Sequence, residues 1–213
     1  MKLLSGPLSL FTGKVRIALD EKGLAYERVD VPFSRARGYE PKHPEVLEYN
    51  PKAQVPVLID GDLALYDSTL ILEYLEERYP EPPLLPRDVV ARARCRQAEA
   101  ESDEVLFPHV FTLIRESFYA PTGGRDEAAI DGARSAIAAI CARLDADLDE
   151  HEYMCGDTFT VADIAYFLTF TFARFLGASP DPELTRLGDW LVRVAERPSV
   201  RAEIDRLTMA AAA

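Results

Sequence analysis

Two regimes of hydrophobic patterning divide the chain. Short apolar runs broken by glycine and proline fill the first eighty residues, and longer stripes of helical period fill the rest. Residues 2–4 form a candidate strand, and Val15, Ala18 and Leu19 then fall on one face of a helix that Gly23 ends as its C′ residue. Residues 26–31 alternate, with Val29 and Val31 on one side and Arg28 and Asp30 on the other, which predicts a second strand and completes a βαβ unit. The polar, proline-broken stretch 32–50 offers one helical turn, Pro44-Glu45-Val46-Leu47. Residues 57–59 and 63–66 read as two strands joined across Asp60-Gly61-Asp62, where glycine takes the positive φ. A helix follows with Leu70, Ile71, Tyr74 and Leu75 at helical spacing, so the first part reads βαβαββα.

The run Glu81-Pro82-Pro83-Leu84-Leu85-Pro86 cannot be helical, and no strand pattern of any length follows it. The predicted division is residues 1–80, a linker at 81–87, and an all-helical part at 88–213. Asp88 caps a helical run expected over 91–119. The break Ala120-Pro121-Thr122-Gly123-Gly124 precedes another run over 126–148, with Ile130, Ile137, Ile140, Cys141 and Leu144 near helical spacing. Thr160-Val161-Ala162-Asp163 is a capping signature in which Asp163 reaches back to the N-cap amide, with Phe159 and Ile164 as a hydrophobic staple. Asp163 is therefore read as structural. Two more helices are expected, near 182–196 and 199–207, with Trp190 as a core anchor.

Composition narrows the function classes. The 213 residues are 48% hydrophobic, enough for a packed core, and carry a net charge of −12 spread over mixed-sign helical stretches. A phosphate backbone would be repelled, so nucleic acid is not an expected partner. The opening residues show no leader pattern, and no apolar run approaches a membrane span, so a cytoplasmic protein with no membrane partner is expected. Cys95, Cys141 and Cys155 lie in no metal-ligand spacing, and His43, His109 and His151 are scattered. A reduced thiol state with neither metal nor disulfide framework follows.

Chemistry should sit at two joints. At Gln54-Val55-Pro56 a proline opens a strand and leaves the preceding backbone unable to pair as in a regular central strand. At Asp67-Ser68 a strand ends and a helix begins, and a helix N-terminus presents orphan N–H groups and partial positive charge that can hold a carboxylate. Taken alone, Asp67-Ser68 is also an ordinary N-cap.

These joints, with the hairpin between them, Tyr66-Asp67-Ser68 and Ile71-Leu72-Glu73-Tyr74-Leu75, resemble the glutathione-binding half of the cytosolic glutathione transferases. The stretch from Gly156 to Ala165 resembles the capping box of that family's buried second-domain helix. The resemblance implies an α/β thioredoxin-like N-terminal domain followed by an all-α C-terminal domain. It also implies a cis bond before Pro56 and strand-like pairing of the Val55 backbone with the cysteinyl part of glutathione. By the same resemblance Ser68 holds the γ-glutamyl carboxylate, and Asp67 stands where the family usually has glutamate. Gln54 replaces a frequent lysine, and Lys42 and His43 lie in the segment that in relatives reaches the glycyl carboxylate.

A thiol needs help to ionise at neutral pH. Lowering its pKa by one to two units takes roughly 1.4 to 2.7 kcal/mol, and one charge-assisted hydrogen bond contributes about 1.5 to 3. Ser5, Ser9 and Thr12 are the hydroxyls near the first helix, and no tyrosine or cysteine precedes Tyr26. The run from Gly6 to Leu19, with Lys14-Val15-Arg16 inside it, resembles the serine-type motif of the family. That resemblance implies Ser9 as the thiolate-stabilising hydroxyl, with Thr12 as the alternative, although Leu10 and Gly13 depart from the common pattern. It further implies a small hydrophobic electrophile as second substrate, with Phe107, His109, Phe111, Arg115 and Tyr119 as candidate lining, and a homodimer. Glutathione is the implied cosubstrate, with no metal. The rival reading is a non-catalytic member that binds a protein partner, similar to the stringent starvation protein regulators. A glutathione-dependent isomerase or dehalogenase would use the same thiolate.

Overall fold

The computed structural model describes residues 1–120, 124–149 and 151–212; Pro121, Thr122 and Gly123 of the expected interhelical break lie outside them. The first unit runs β1 (Lys2–Ser5), α1 (Leu10–Glu21), β2 (Glu27–Asp30), α2 (Pro44–Tyr49), β3 (Val57–Asp60), β4 (Leu63–Tyr66) and α3 (Ser68–Arg78). The sheet order is β2-β1-β3-β4, with β2 parallel to β1 and the other neighbours antiparallel. Leu4 pairs with Val29 on one side and Val57 on the other. On that face Leu4, Val31, Val46 and Val57 form a buried cluster, with Tyr39, Val55 and Tyr66 packed against it. Leu3 and Leu58 point the opposite way, as period-2 alternation requires, and are buried together with Val15, Leu19, Ile71 and Leu75 of the mutually packed α1 and α3.

The expected stripe of α3 is rotated. Leu70 is 56% exposed, while the buried positions are Ser68, Ile71, Leu72 and Leu75, an i, i+3, i+4, i+7 set. The apolar anchors thus carry Ser68 inward on the same face. Tyr74 is partly buried at the side, its hydroxyl donating to Asp60 Oδ2 at 2.8 Å.

The second compact unit spans residues 85–196. It holds α4 (Val89–Glu101), α5 (Phe107–Phe118), α6 (Glu127–Asp147), α7 (Val161–Phe175) and α8 (Thr185–Ala195). The single run expected over 91–119 begins at Val89 and is interrupted by a π-helical stretch, Ser102–Leu106. Pro108 explains the interruption. It has no N–H to give to a carbonyl four residues back and its ring crowds that carbonyl, which a widened turn accommodates. Asp88 and Asp126 cap α4 and α6 through bonds to the Ala91 and Ala129 amides, at 2.8 and 3.0 Å.

Asp163, fully buried, organises this unit. Its Oδ2 accepts from the Thr160 amide (2.8 Å) and hydroxyl (2.9 Å), and its Oδ1 from the Met154 amide (2.9 Å) and the Trp190 indole (2.8 Å). Burial pushes its pKa upward and the four donors oppose that. Trp190, fully buried, is set edge-on to Phe167 and Phe170.

The last helix, α9 (Pro198–Ala212), groups with residues 1–84 and not with the helices before it, because it packs on α1. Arg197 forks onto Glu21 at 3.0 and 2.6 Å, Ser199 adds a bond at 2.5 Å, and Arg206 reaches Asp20. Burial would raise the Glu21 pKa, but the Arg197 and Ser199 bonds outweigh it and hold the carboxyl below its ordinary 4.5.

Replacing Asp163 by asparagine leaves an amide group among four donors, and a loss of about 2–3 kcal/mol is expected from the unpaired groups. Urea unfolding followed by the fluorescence of the single tryptophan checks this; an unchanged midpoint would show that the carboxylate charge is unnecessary. For Glu21 the lowered folded-state pKa means that its stabilisation is complete above the unfolded value and lost as pH falls through the folded one. Stability of the parent should therefore drop below about pH 4.5, and Glu21→Gln should flatten that part of the pH curve; equal slopes would refute the assignment.

Candidate functional site

β1 delivers the chain into the loop Ser5-Gly6-Pro7-Leu8-Ser9, and Ser9 begins α1. Ser9 is the N-cap: its Oγ accepts from the Thr12 amide at 3.2 Å, and its backbone carbonyl accepts from Gly13 at 2.9 Å. A hydroxyl that accepts keeps its own hydrogen to give away, so capping and donation to a ligand are compatible. Thr12 is fully buried and its Oγ1 accepts from the Gly6 amide at 3.3 Å. It braces the loop from beneath. The Leu8 amide bonds to the Tyr39 hydroxyl at 3.2 Å.

Gly6 is where the loop meets the proline joint. A Cβ there would lie 2.8 Å from Val55 Cγ2, 2.8 Å from Tyr39 Oη and 2.9 Å from Ser9 Cβ. Ser9 and Val55 are thus brought together around a residue with no side chain. The Val55–Pro56 bond is cis, as the resemblance implied. Among the described residues neither the N–H nor the C=O of Val55 has a hydrogen-bond partner. The preceding turn is fixed by Asn50, whose side chain donates to the Gln54 carbonyl at 2.7 Å and accepts from the Lys52 amide at 2.9 Å. Gln54 itself is exposed.

Val57 pairs with Tyr66, so Pro56 and Asp67 leave the paired strands side by side. Asp67 has φ 78° and ψ 120°, a conformation rare outside glycine and costing of order 1–3 kcal/mol. Such outliers cluster at ligand sites. Its Oδ1 caps the Thr69 amide at 3.2 Å, and its Oδ2 faces Lys52 Nζ at 3.3 Å. Ser68, 5% exposed, opens α3, and among the described residues its hydroxyl has no partner. The fold therefore gathers Ser9, Thr12, Val55, Pro56, Asp67 and Ser68 at adjoining strand ends and helix starts.

His43 stands somewhat apart, at the N-cap of α2, where no hydrogen bond ties it to that group. Its Nδ1 is buried with no partner, and the neighbouring Lys42 pairs with Glu40 at 3.5 Å. On α5, Phe107 and Phe111 share a face with ring centroids 6.0 Å apart, and Phe111 and Tyr119 are about half exposed. Arg115 is engaged by Glu116 at 2.9 Å.

Sequence reasoning missed Gly6, Tyr39 and Asn50 as site builders. Asn50-Pro51 carried a turn signal that could have identified the brace on Gln54. Nothing in the polar stretch around Tyr39 pointed to its contact with Leu8.

The sequence profile of the glutathione S-transferase N-terminal domain matches residues 3–83, and that of the C-terminal domain matches residues 103–198. The chain is 36% identical over 165 residues to a stringent starvation protein A homolog of Coxiella burnetii, covering 76% of this chain and 71% of that one. The chain belongs to the glutathione S-transferase family. A solved glutathione S-transferase from Rhodospirillum rubrum superposes with a TM-score of 0.83 at 31% identity, over 95% of this chain and 90% of that one. A theta-class glutathione S-transferase from Xanthomonas axonopodis, solved with glutathione bound, gives 0.80 at 27% identity over 95% and 96%. The glutathione S-transferase fold, a thioredoxin-like βαβαββα unit with an all-α partner unit, is therefore what the two sequence regimes encode.

Gly6→Ala should force Val55, Tyr39 or Ser9 to shift, with a cost of about 1–3 kcal/mol for overpacking. A lowered thermal midpoint together with weakened binding of reduced glutathione is expected. A variant matching the parent in both would show that this approach has slack.

Proposed function

We propose that this glutathione S-transferase family member binds reduced glutathione, stabilises its thiolate through Ser9, and transfers it to a small hydrophobic electrophile. The observation that carries the reading is the convergence at Gly6: the side chains of Ser9, whose hydroxyl is free to donate, and of Val55, whose backbone polar groups are both unspent, meet around it. An extended cysteinyl segment would pair with Val55, which sets its sulfur beside the Ser9 hydroxyl and the start of α1. The unpartnered Ser68 hydroxyl and the α3 N-terminus suit the γ-glutamyl carboxylate, while Asp67 suits the ammonium beside it, in competition with Lys52. The orphaned His43 Nδ1 and the exposed Gln54 are assigned to the glycyl end.

Ser9 acts as a donor and not as a nucleophile. One charge-assisted bond supplies about 1.5–3 kcal/mol of preference for the anion, enough to ionise much of the bound thiol at neutral pH. The thiolate then forms a C–S bond to an electrophilic carbon, which expels a leaving group or takes up a proton from water. Thr12 serves as the brace under the loop, since it is fully buried and its Oγ1 accepts from the Gly6 amide. In this reading residues 1–80 are the glutathione-binding domain, 81–87 the linker and 88–213 the helical domain, with α9 returning to support the first. A cytoplasmic homodimer acting in detoxification is the accompanying proposal. Among the described residues no helix is long and apolar enough to cross a membrane.

A second reading has an observation of its own. The relative named for stringent starvation supports a non-catalytic regulator that binds a protein partner, in which Lys52 would keep Asp67 occupied. The isomerase and dehalogenase alternatives share the thiolate and differ only in product.

Calorimetric titration with reduced glutathione separates the two main readings. Binding by the parent, loss of at least tenfold in affinity in Ser68→Ala, and affinity largely kept in Ser9→Ala with turnover lost by about 10²-fold or more are expected. No binding at millimolar glutathione would overturn the transferase reading.

A further inference from the structure

The buried ion pair between α1 and α9 lies inside the first compact unit and reaches the catalytic loop through one side chain. Arg16, 2% exposed, forks onto the fully buried Glu203, with Nε to Oε2 at 2.8 Å and Nη2 to Oε1 at 2.5 Å. The far side of the same guanidinium faces the loop: Nη1 donates to Ser5 Oγ at 2.6 Å and to the Gly6 carbonyl at 3.3 Å. That carbonyl also accepts from the Ser9 amide at 3.3 Å. Glu203 is further contacted by Arg206 at 3.3 Å, and Arg206 reaches Asp20, so two cations and two anions balance.

A buried pair of this kind is poor evidence for stability, since well-packed apolar side chains would often serve as well. What apolar side chains could not do is hold two elements at fixed angles from opposite edges of one plane. A guanidinium can, because its five N–H groups form a rigid fork, and a lysine ammonium cannot. Each link ends on an atom that fixes the next. Glu203 sets the plane of Arg16, Arg16 sets the Gly6 carbonyl, and that carbonyl sets the Ser9 amide while Gly6 abuts Val55.

We propose that Arg16 and Glu203 are positioning residues for the thiol site, through which α9, 187 residues distant in sequence, sets the angle of the loop that ends in Ser9. The inference rests on the reading of Ser9 as the thiolate donor. It makes the C-terminal helix a working part of the glutathione site and Arg16 a residue that acts only through Gly6 and Ser9.

Two readouts test it. The first needs no ligand: in Glu203→Gln and Arg16→Lys, hydrogen exchange at the Leu8, Ser9 and Thr12 amides should accelerate by about tenfold or more, relative to the sheet amides of β1 and β3. The second is the ultraviolet titration of the thiolate of bound glutathione. Each variant should show about three- to tenfold less thiolate at pH 7, with glutathione affinity changed much less because the Ser68 end is untouched. Asp163→Asn, which weakens the other unit, is the control for general destabilisation and should leave both readouts unmoved. Parental exchange rates at the loop amides in Glu203→Gln and Arg16→Lys would overturn the proposal, as would an unmoved thiol titration in variants that bind glutathione. A parent that does not bind glutathione overturns the transferase reading instead, and loop exchange alone then decides whether the pair positions the loop.

Discussion

The approach of two backbone segments at Gly6 governs the first unit. A side chain there would overlap Val55, Tyr39 and Ser9, so its absence lets the loop after β1 lie against the residue before the cis proline. Several features follow from that single contact. The Gly6 amide is spent on Thr12 and its carbonyl is shared by Ser9 and Arg16, which leaves the Ser9 hydroxyl as the polar group still able to donate outward. The Asn50 turn holds the other side by tying down the Gln54 carbonyl, and Val55 is left with its backbone unspent. Interior polar groups are satisfied almost everywhere in folded proteins, so the unspent ones beside this loop support the ligand site proposed there.

The two compact units are stabilised by similar devices used for different ends. In the second unit a buried carboxylate, Asp163, collects four donors and fixes the start of α7 against Trp190. In the first, the buried carboxylate of Glu203 meets a guanidinium whose other edge is committed to the loop after β1. A hub that satisfies only backbone and core groups contributes to folding. A pair with one edge on a loop that carries a free hydroxyl contributes to geometry as well. The distinction follows from where the remaining donors point.

How much was legible in the sequence depended on the range of the interactions. Caps and turns are local, and Asp88, Asp126, Thr160 and Gly61 do what their neighbours in sequence imply. Strand alternation is nearly as local, which is why Val29 and Val31 were assignable to one face. Helical stripes were legible only to within one residue, and the actual Ser68, Ile71, Leu72, Leu75 set puts Leu70 outside and Ser68 inside. The π-helical stretch before Pro108 went unread because a proline in a long helical pattern signals disruption without saying which widened geometry absorbs it. The links among Arg16, Glu203, Ser5 and Gly6 were illegible, since periodicity says which face is buried but not which distant carboxylate meets an arginine there. The family resemblance supplied the cis bond and the roles proposed for Ser9 and Ser68; local chemistry alone would have left Ser9 as the helix cap that it also is.

Membership of the glutathione S-transferase family constrains the chemistry less than it constrains the shape. The profile matches span residues 3–83 and 103–198, which hold the sheet, the proline joint and the buried helices, all of which a partner-binding relative needs as much as a catalyst does. What separates the two is a handful of atoms: the hydrogen of the Ser9 hydroxyl, the Val55 amide and carbonyl, the Ser68 hydroxyl and the Asp67 carboxylate. Four of these five groups are unspent, and the fifth, whose Oδ1 caps the Thr69 amide, faces the half-exposed Lys52 through Oδ2, an exposed ion pair worth about 1 kcal/mol or less. In the proposed reading a ligand ammonium competing for Asp67 displaces a weak partner. A protein that had kept the fold only for docking would have no reason to keep these groups together, and that is what supports the proposed glutathione enzyme over the proposed scaffold.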